Sequence, residues 1–169
     1  MVINLIACID PRGGIGYRNH LLFHIKKDME RFRLITTGHT IIMGRKTYDS
    51  LPNGALPNRR NIVITHQDIH LDGCEVCHTM EEALQICQEE EEVFIIGGSS
   101  IYTQTIEKAH RLYLTIVDKT IEKVDIMFPP FDPKEWKTCW EEEHTEVTTD
   151  GKETFRFTFV ILENKRNYK

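Results

Sequence analysis

The chain has 169 residues, 40% of them hydrophobic and 28% charged, with a formal net charge of −5. That length suits one domain over residues 1–169 with a core of useful size, and no shift of composition marks a second. The acidic balance argues against a general binder of nucleic acid or membrane surface, so local basic spots such as Arg45–Lys46 and Arg59–Arg60 read as sites.

Val2 to Ile9 is apolar on both faces, the pattern of a central strand covered on both sides. The run is short, broken at Asn4 and without a basic lead, so it does not read as a signal peptide, and no later run is long enough to span a bilayer. Asp10-Pro-Arg-Gly-Gly-Ile-Gly16 cannot continue the strand and reads as a mobile loop. Ile25, Met29, Phe32 and Ile35 recur at helical spacing, which predicts a helix over 26–36 ending near Gly38. Asp28 falls in its first turn, close to the apolar stripe. Thr40 to Met43 is a second strand. Gly44 then permits a sharp turn, Arg45 and Lys46 bring two positive charges to the start of the next helical stretch, and a short helix over 48–51 stops at Pro52. Unpaired N–H groups at such a junction suit an anion, and the same segment reads equally as an ordinary β–α turn that happens to be basic. It lacks the upstream glycine of a P-loop.

Asn61 to Thr65 is a third strand. Cys74-Glu-Val-Cys77-His78 has the spacing of covalent haem attachment, with His66 and His70 upstream as further metal-type donors. A strand here sends Cys74 and Cys77 to opposite faces, so buried or idle thiols are expected and no metal. The odd total of five cysteines fits a reducing cytoplasm. Thr79-Met-Glu-Glu82 is a capping box opening a helix with the stripe Met80, Ala83, Leu84 and Cys87, and Glu89 to Glu92 reads as a solvated run. Val93 to Ile96 is a buried strand ended by Gly97-Gly98, with a helix from about Ser100. Leu112 to Val117 is a strand, and Trp136–Val147 and Phe155–Leu162 are extended stretches joined around Asp150-Gly151, a hairpin signal.

Strands alternating with helices and closed by a hairpin predict an α/β fold: a mixed, mainly parallel sheet with helices on both faces and an antiparallel C-terminal edge. Ligands of such sheets lie beyond the carboxyl ends of the strands, where the turns after Ile9, Met43, Thr65 and Ile96 open. Gly44 and Gly97-Gly98 then face one crevice. A double glycine lets backbone approach a pyrophosphate and serves plain packing as well; the G-x-G-x-x-G fingerprint is missing. Asp28 also reads two ways, as a carboxylate whose acidity an apolar pocket weakens, or as a surface aspartate favoured by its helix N-terminus.

Several segments share an order and spacing: Leu5-Ile-Ala7, Ile15-Gly16, Asp28 with Phe32, Thr40-Ile-Ile-Met-Gly-Arg-Lys-Thr47, Leu56-Pro-Asn-Arg59, Ile96-Gly-Gly98 with Tyr102, Leu112-Tyr-Leu-Thr115 and Phe128-Pro129. From Ile3 to about Leu162 this closely resembles the dihydrofolate reductase family, of the short bacterial type. The resemblance implies an eight-stranded sheet with about four helices. It also implies hydride transfer from NADPH to C6 of dihydrofolate with protonation at N5, giving tetrahydrofolate for one-carbon, thymidylate and purine precursor metabolism.

By that resemblance Asp28 is the catalytic pterin-binding carboxylate, bonding ring N3 and the 2-amino group and promoting N5 protonation through water. Thr115 supports it, and Phe23 stands at the catalytic aromatic position but lacks an indole N–H. Ile6, Phe32, Leu51 and Leu56 line the substrate pocket, and Arg59 binds the α-carboxylate of the glutamate tail. Ala7, Ile96 and Tyr102 border substrate and nicotinamide together. Gly44, Arg45, Lys46, Thr47, Thr65, His66, Gly97, Gly98, Ser99, Ser100 and Ile101 fall on cofactor positions, with Arg45, Thr65 and His66 meeting the 2′-phosphate. Ile15 and Gly16 belong to a mobile loop over 10–23 that closes on the nicotinamide, held by Asp125. Ser100 replaces a frequent basic residue, and Gly13-Gly14 adds mobility. Diaminopyrimidine antifolates are expected as cations paired with Asp28; a cytoplasmic monomer is expected, without nucleic-acid or membrane partners. A pyrimidine reductase of riboflavin synthesis shares this architecture, but the spacing of Asp28, Phe32 and Arg59 argues against it. A non-enzymatic nucleotide- or metal-binding module using 74–78 is the weaker alternative.

Overall fold

A computed structural model describes residues 1–18, 20–147 and 151–166. In chain order the elements are β1 (Val2–Ile9), β2 (Gly14–Tyr17), β3 (His20–Leu21), α1 (Lys26–Thr36), β4 (Thr40–Gly44), α2 (Arg45–Ser50), β5 (Arg60–Ile64) and β6 (Cys74–Cys77). They continue as α3 (Met80–Gln85), β7 (Glu92–Gly97), α4 (Ser99–Thr105), β8 (Arg111–Val117), β9 (Ile126–Met127), β10 (Trp136–Val147) and β11 (Thr154–Asn164). Eight strands form one sheet in the order β10-β11-β8-β1-β7-β4-β5-β6. Every pairing from β8 to β6 is parallel, and β11 runs against both β8 and β10. The expected mixed, mainly parallel sheet with four flanking helices and an antiparallel C-terminal pair is what the chain forms. Among the described residues no helix is long and apolar enough to cross a membrane.

Both faces of the sheet are covered, which is why the central strands read as unbroken apolar runs. Along β1, Ile3, Leu5 and Ile9 join Met80, Ala83 and Ile101 of α3 and α4, whereas Ile6 turns to the opposite face with Ile41, Met43, Val63 and Phe94. Ile41 and Ile42 are neighbours in sequence, both 0% exposed, and pack into different clusters. Each such side chain contributes about 1.5–3 kcal/mol on burial. The same alternation parts Cys74 from Cys77, which lie in the clusters of opposite faces, so the C-x-x-C-H spacing does not converge on one point. Among the described residues no group of three or more His, Cys, Asp or Glu could hold a metal ion.

Three expectations change. Gly14 to Tyr17, read as loop, is a strand between β3 and β9 in a second, three-stranded sheet. A Cβ on Gly16 would come 2.6 Å from the His20 carbonyl oxygen, so the glycines that suggest a loop are what this tight pairing needs. Upstream, the Asp10 carboxylate, 1% exposed, accepts from the N–H groups of Arg12 (2.9 Å), Gly14 (2.7 Å) and Ile121 (3.3 Å) and ties the entry of this segment down. Second, α2 starts at Arg45, directly after β4, rather than at Tyr48. Third, the glutamate run is only partly solvated: Glu90 pairs with Arg60 at 2.6 Å, and Glu92 opens β7 and accepts from the Asn4 amide at 2.9 Å. The α3 cap forms as expected, Thr79 accepting from the Glu82 N–H at 3.1 Å. Of the turn assigned to Asp150-Gly151, Asp150 lies outside the described residues; pairing of β10 with β11 runs from Trp136 opposite Asn164 to Val147 opposite Thr154.

Candidate active site

The carboxyl ends of β1, β4, β5, β7 and β8 share one edge of the sheet, where Thr115 and the turns at Gly44 and Gly97-Gly98 lie, while Arg59 precedes β5 at its amino end. No side chain caps α1; instead the Lys26 N–H donates to the Glu146 carboxylate on β10 at 3.0 Å. Asp28, half-buried in the first turn, accepts the Thr115 hydroxyl from β8. Thr115 is 2% exposed and is the strand partner of Cys8 on β1 and of Phe159 on β11, so these three side chains stand in a row beneath α1. Burial raises the Asp28 carboxyl above its ordinary range; the Thr115 hydroxyl, the Arg31 guanidinium and the Cys8 thiol oppose that rise, and Glu146 adds to it. Burial, then the nearby Asp28 charge, pushes the Cys8 thiol well up, so it stays protonated and able to donate. A half-buried carboxylate whose acidity is perturbed in this way is a candidate functional group. Of the two sequence readings of Asp28, the geometry fits the pocket carboxylate.

Next to it lies an apolar wall. Ile6 from β1 packs with Phe32 of α1, Leu51 after α2, Leu56 from the loop before β5, and Ile96 of β7 in one cluster. Arg59 stands at its rim, 5.9 Å from the centre of the Phe32 ring, with Nε donating to the Pro57 carbonyl (2.9 Å) and a terminal nitrogen to the Thr36 hydroxyl (3.2 Å). Burial and the neighbouring Arg33 lower its pKa, and a guanidinium remains charged regardless. Other residues singled out stand behind this wall. Ala7, Ile15, Ile101 and Tyr102 belong to the cluster on the opposite face, and Tyr102, 2% exposed, donates its hydroxyl to the Ile6 carbonyl at 2.7 Å. Phe23 is buried with Ile25, Val117, Phe157 and Phe159 and meets Phe155 edge-on at 6.1 Å. It has packing to contribute there and no proton to transfer.

The two glycine turns are neighbours, since Met43 of β4 lies opposite Gly97 of β7. Gly97 has φ +133°, and a Cβ there would meet the Thr47 hydroxyl at 3.2 Å and the Tyr102 hydroxyl at 3.4 Å. Its peptide bond to Gly98 is cis. A Cβ on Gly44 would meet Ile101 at 3.2 Å. Arg45 is braced by Asp49 (2.9 Å) and by Gln67 (3.1 Å), which draws the start of α2 to the segment after β5 where Thr65 is buried and His66 exposed. Lys46 and Ser100 are exposed, Ser99 is half-buried, and the Ser100 hydroxyl accepts from Gln104 at 3.2 Å. At the mouth, the Arg18 N–H donates to Asp125 at 3.1 Å, and the Asp125 N–H donates to the Gly16 carbonyl at 3.1 Å. A hollow of about 480 Å³ lies elsewhere, among His39, Asn58, Arg60 and Glu90–Glu92 at the amino ends of the strands; its lining is of mixed charge and it shares only Arg59 with the site.

Sequence reasoning missed Cys8, Arg31 and Glu146 as neighbours of Asp28. Cys8 and Arg31 were within reach, Cys8 because it follows Ile6 by two positions on a strand and Arg31 because it follows Asp28 by three on a helix. Glu146 depends on where the C-terminal strands dock.

Carboxylate, apolar wall and paired glycine turns at the carboxyl edge of a mainly parallel sheet define an α/β enzyme site for a small organic molecule. The family model described as dihydrofolate reductase matches residues 2–164. A dihydrofolate reductase of Bacillus subtilis is 39% identical over 99% of this chain and 98% of its own length, and one of Neisseria meningitidis serogroup B is 42% identical over 94% and 95%. Among solved structures, dihydrofolate reductase from Enterococcus faecalis complexed with NADP(H) and RAB-propyl superposes with a TM-score of 0.85 at 28% identity, covering 96% of each chain. The chain belongs to the dihydrofolate reductase family.

Proposed function

We propose that this protein reduces dihydrofolate to tetrahydrofolate with NADPH. The observation that carries the reading is the placement of Asp28, held by Thr115, at the base of the apolar cluster of Ile6, Phe32, Leu51, Leu56 and Ile96. A flat heterocycle with an amino group and a ring N–H fits a carboxylate in an apolar slot, and Arg59 at the rim fits a tail ending in carboxylate. The pair Asp28–Arg59 thus measures out a pterin with an acidic tail.

NADPH fits the other half. Gly97 leaves open a backbone surface that a Cβ would fill, Thr47 lines it, and Arg45, set by Asp49 and Gln67 beside Thr65 and His66, offers a planar cation for the extra phosphate. Bound there, NADPH supplies the hydride that reduces C6. The chain's own residues do the rest. Asp28 accepts from N3 and the 2-amino group, orients the ring, and by its negative charge favours a proton at N5. Its oxygens bond the far edge of the ring, so the proton reaches N5 through water. Thr115 fixes the carboxylate, and Ile6, Phe32 and Ile96 exclude bulk solvent, which strengthens each polar contact inside. Residues 10–18 and 20–23, fastened by Asp10 and Asp125, form the wall on the nicotinamide side.

The test is direct. Purified protein should consume NADPH, followed by its near-ultraviolet absorbance, only when dihydrofolate is supplied. Folded protein that binds NADPH and leaves dihydrofolate unreduced at high enzyme concentration would overturn the reading.

A further inference from the structure

The groups that hold Asp28 leave one charged side chain of its own helix unexplained. Arg31 follows Asp28 by three positions, so both project from one side of α1. Its guanidinium carbon stands 4.4 Å from the centre of the Phe159 ring and 5.3 Å from that of Trp140. Phe159 is the strand partner of Thr115, and Thr115 is the donor to Asp28. The cation is therefore seated on an aromatic floor one strand away from the carboxylate, and the two make no hydrogen bond or ion pair.

We propose that Arg31, held over Phe159 and Trp140, is a positioning residue that sets the pH range in which Asp28 works, as a fixed positive charge that never touches the substrate. This rests on the reductase reading only for its consequence in turnover. The surroundings of both groups support it. Asp28 is faced by Cys8 from β1, Thr115 from β8, Arg31 from α1, Glu146 from β10, and the Tyr102 hydroxyl behind β1. Arg31 is faced by Asp28, by Tyr113 from β8 and by Glu142 from β10. Burial pushes the Cys8 thiol and the Tyr102 hydroxyl up, so both are neutral at working pH. Of the named charges, Arg31 alone favours the ionised carboxylate; Glu146 opposes it. A guanidinium is the side chain that keeps its charge when half-buried, and stacking on rings holds it in place without a carboxylate partner.

The experiment compares wild type, Arg31→Gln and Arg31→Lys in two measurements. The first follows the Asp28 carboxyl carbon by NMR against pH in the ligand-free protein, the signal being assigned by its loss in Asp28→Asn. The second is the pH profile of turnover. In Arg31→Gln the carboxyl should titrate at higher pH and the acid limb of turnover, where the ionised carboxylate is lost, should move up by roughly half to one pH unit, a threefold to tenfold loss against wild type on that limb. Arg31→Lys should stay near wild type. Coincident curves for Arg31→Gln and wild type overturn the proposal, and so does an equal shift in Arg31→Lys, which would make shape rather than charge the cause. If Arg31→Gln does not fold, Arg31→Met keeps the stem over the rings and gives the same test. Should wild type fail to reduce dihydrofolate, the reductase reading falls while the NMR titration still decides on Arg31.

Discussion

Asp28→Asn should separate activity from stability, moving them in opposite directions. Asparagine keeps the shape and an acceptor oxygen for the Thr115 hydroxyl, so beyond the charge only the weak Cys8 thiol donor loses its acceptor. Positioned proton handling contributes about 10²–10⁴-fold, and kcat/KM at neutral pH should fall by that factor, or about 3–5 kcal/mol of transition-state stabilisation. NADPH affinity should change less than about twofold, since Arg45 and Thr47 lie on α2 and Gly97 on β7, away from α1 and β8. Stability follows from the direction of the pKa shift. The folded-state value of Asp28 is raised, chiefly by burial, so the group's contribution is fully present below the unfolded pKa and is lost as pH rises through the folded one. At neutral pH the ionised carboxylate is thus a cost of folding that the variant lacks. Its melting temperature should equal or exceed that of wild type at neutral pH, with the difference closing in acid. Steady-state kinetics, NADPH titration and thermal melts at two pH values test this. A variant that melts several degrees lower at neutral pH, or that keeps more than about a tenth of wild-type turnover, refutes the reasoning.

Two further outcomes follow from the cofactor half of the site. Gly97→Ala places a methyl group 3.2 Å from the Thr47 hydroxyl at φ +133°, and should cost about 1–3 kcal/mol in thermal or denaturant unfolding while weakening NADPH binding. Unchanged stability would mean the turn relaxes freely. Arg45→Ala should lower the preference for NADPH over NADH by about 10–100-fold with little change in kinetics on NADH, and equal losses with both would place Arg45 away from the distinguishing phosphate.

The fold was largely legible because its signals are local. Strands β1, β4 and β7 are apolar on both faces, and Ile25, Phe32 and Ile35 mark the side of α1 that meets the sheet, whereas Met29, which the same spacing put in that stripe, is 60% exposed. That Ile6, Phe32, Leu51, Leu56 and Ile96 share one apolar cluster was also legible, though through family likeness in their order rather than through any periodicity. What stayed hidden depends on contacts between distant segments. Spacing alone could not choose between a surface and a pocket aspartate at 28, because the groups that decide it arrive on β1, β8 and β10. Strand β2 was hidden for a similar reason: its partner β9 comes more than a hundred positions later, at Ile126–Met127, and its own glycines argue locally for a loop. Phe23 was placed near the chemistry by likeness alone; its packing against Ile25, Val117, Phe155, Phe157 and Phe159 depends on the C-terminal strands and could not be read from spacing.

The hydrogen bond between Asp28 and Thr115 closes a span of 87 positions, and the one from Lys26 to Glu146 closes 120. Closure entropy grows only slowly with such lengths, yet it must be met before the contact returns anything. On the ribosome, α1 therefore emerges with its carboxylate long before the threonine that fixes it or the strand that covers it. A chain halted ahead of β8 owns most of the apolar wall and lacks Thr115, whose hydroxyl grips Asp28. Ligand affinity is thus a property of the finished chain, acquired in the last steps of assembly. A ligand that fits the completed pocket then acts by mass action on that final equilibrium, rewarding the one conformation in which the first and last thirds of the chain have met.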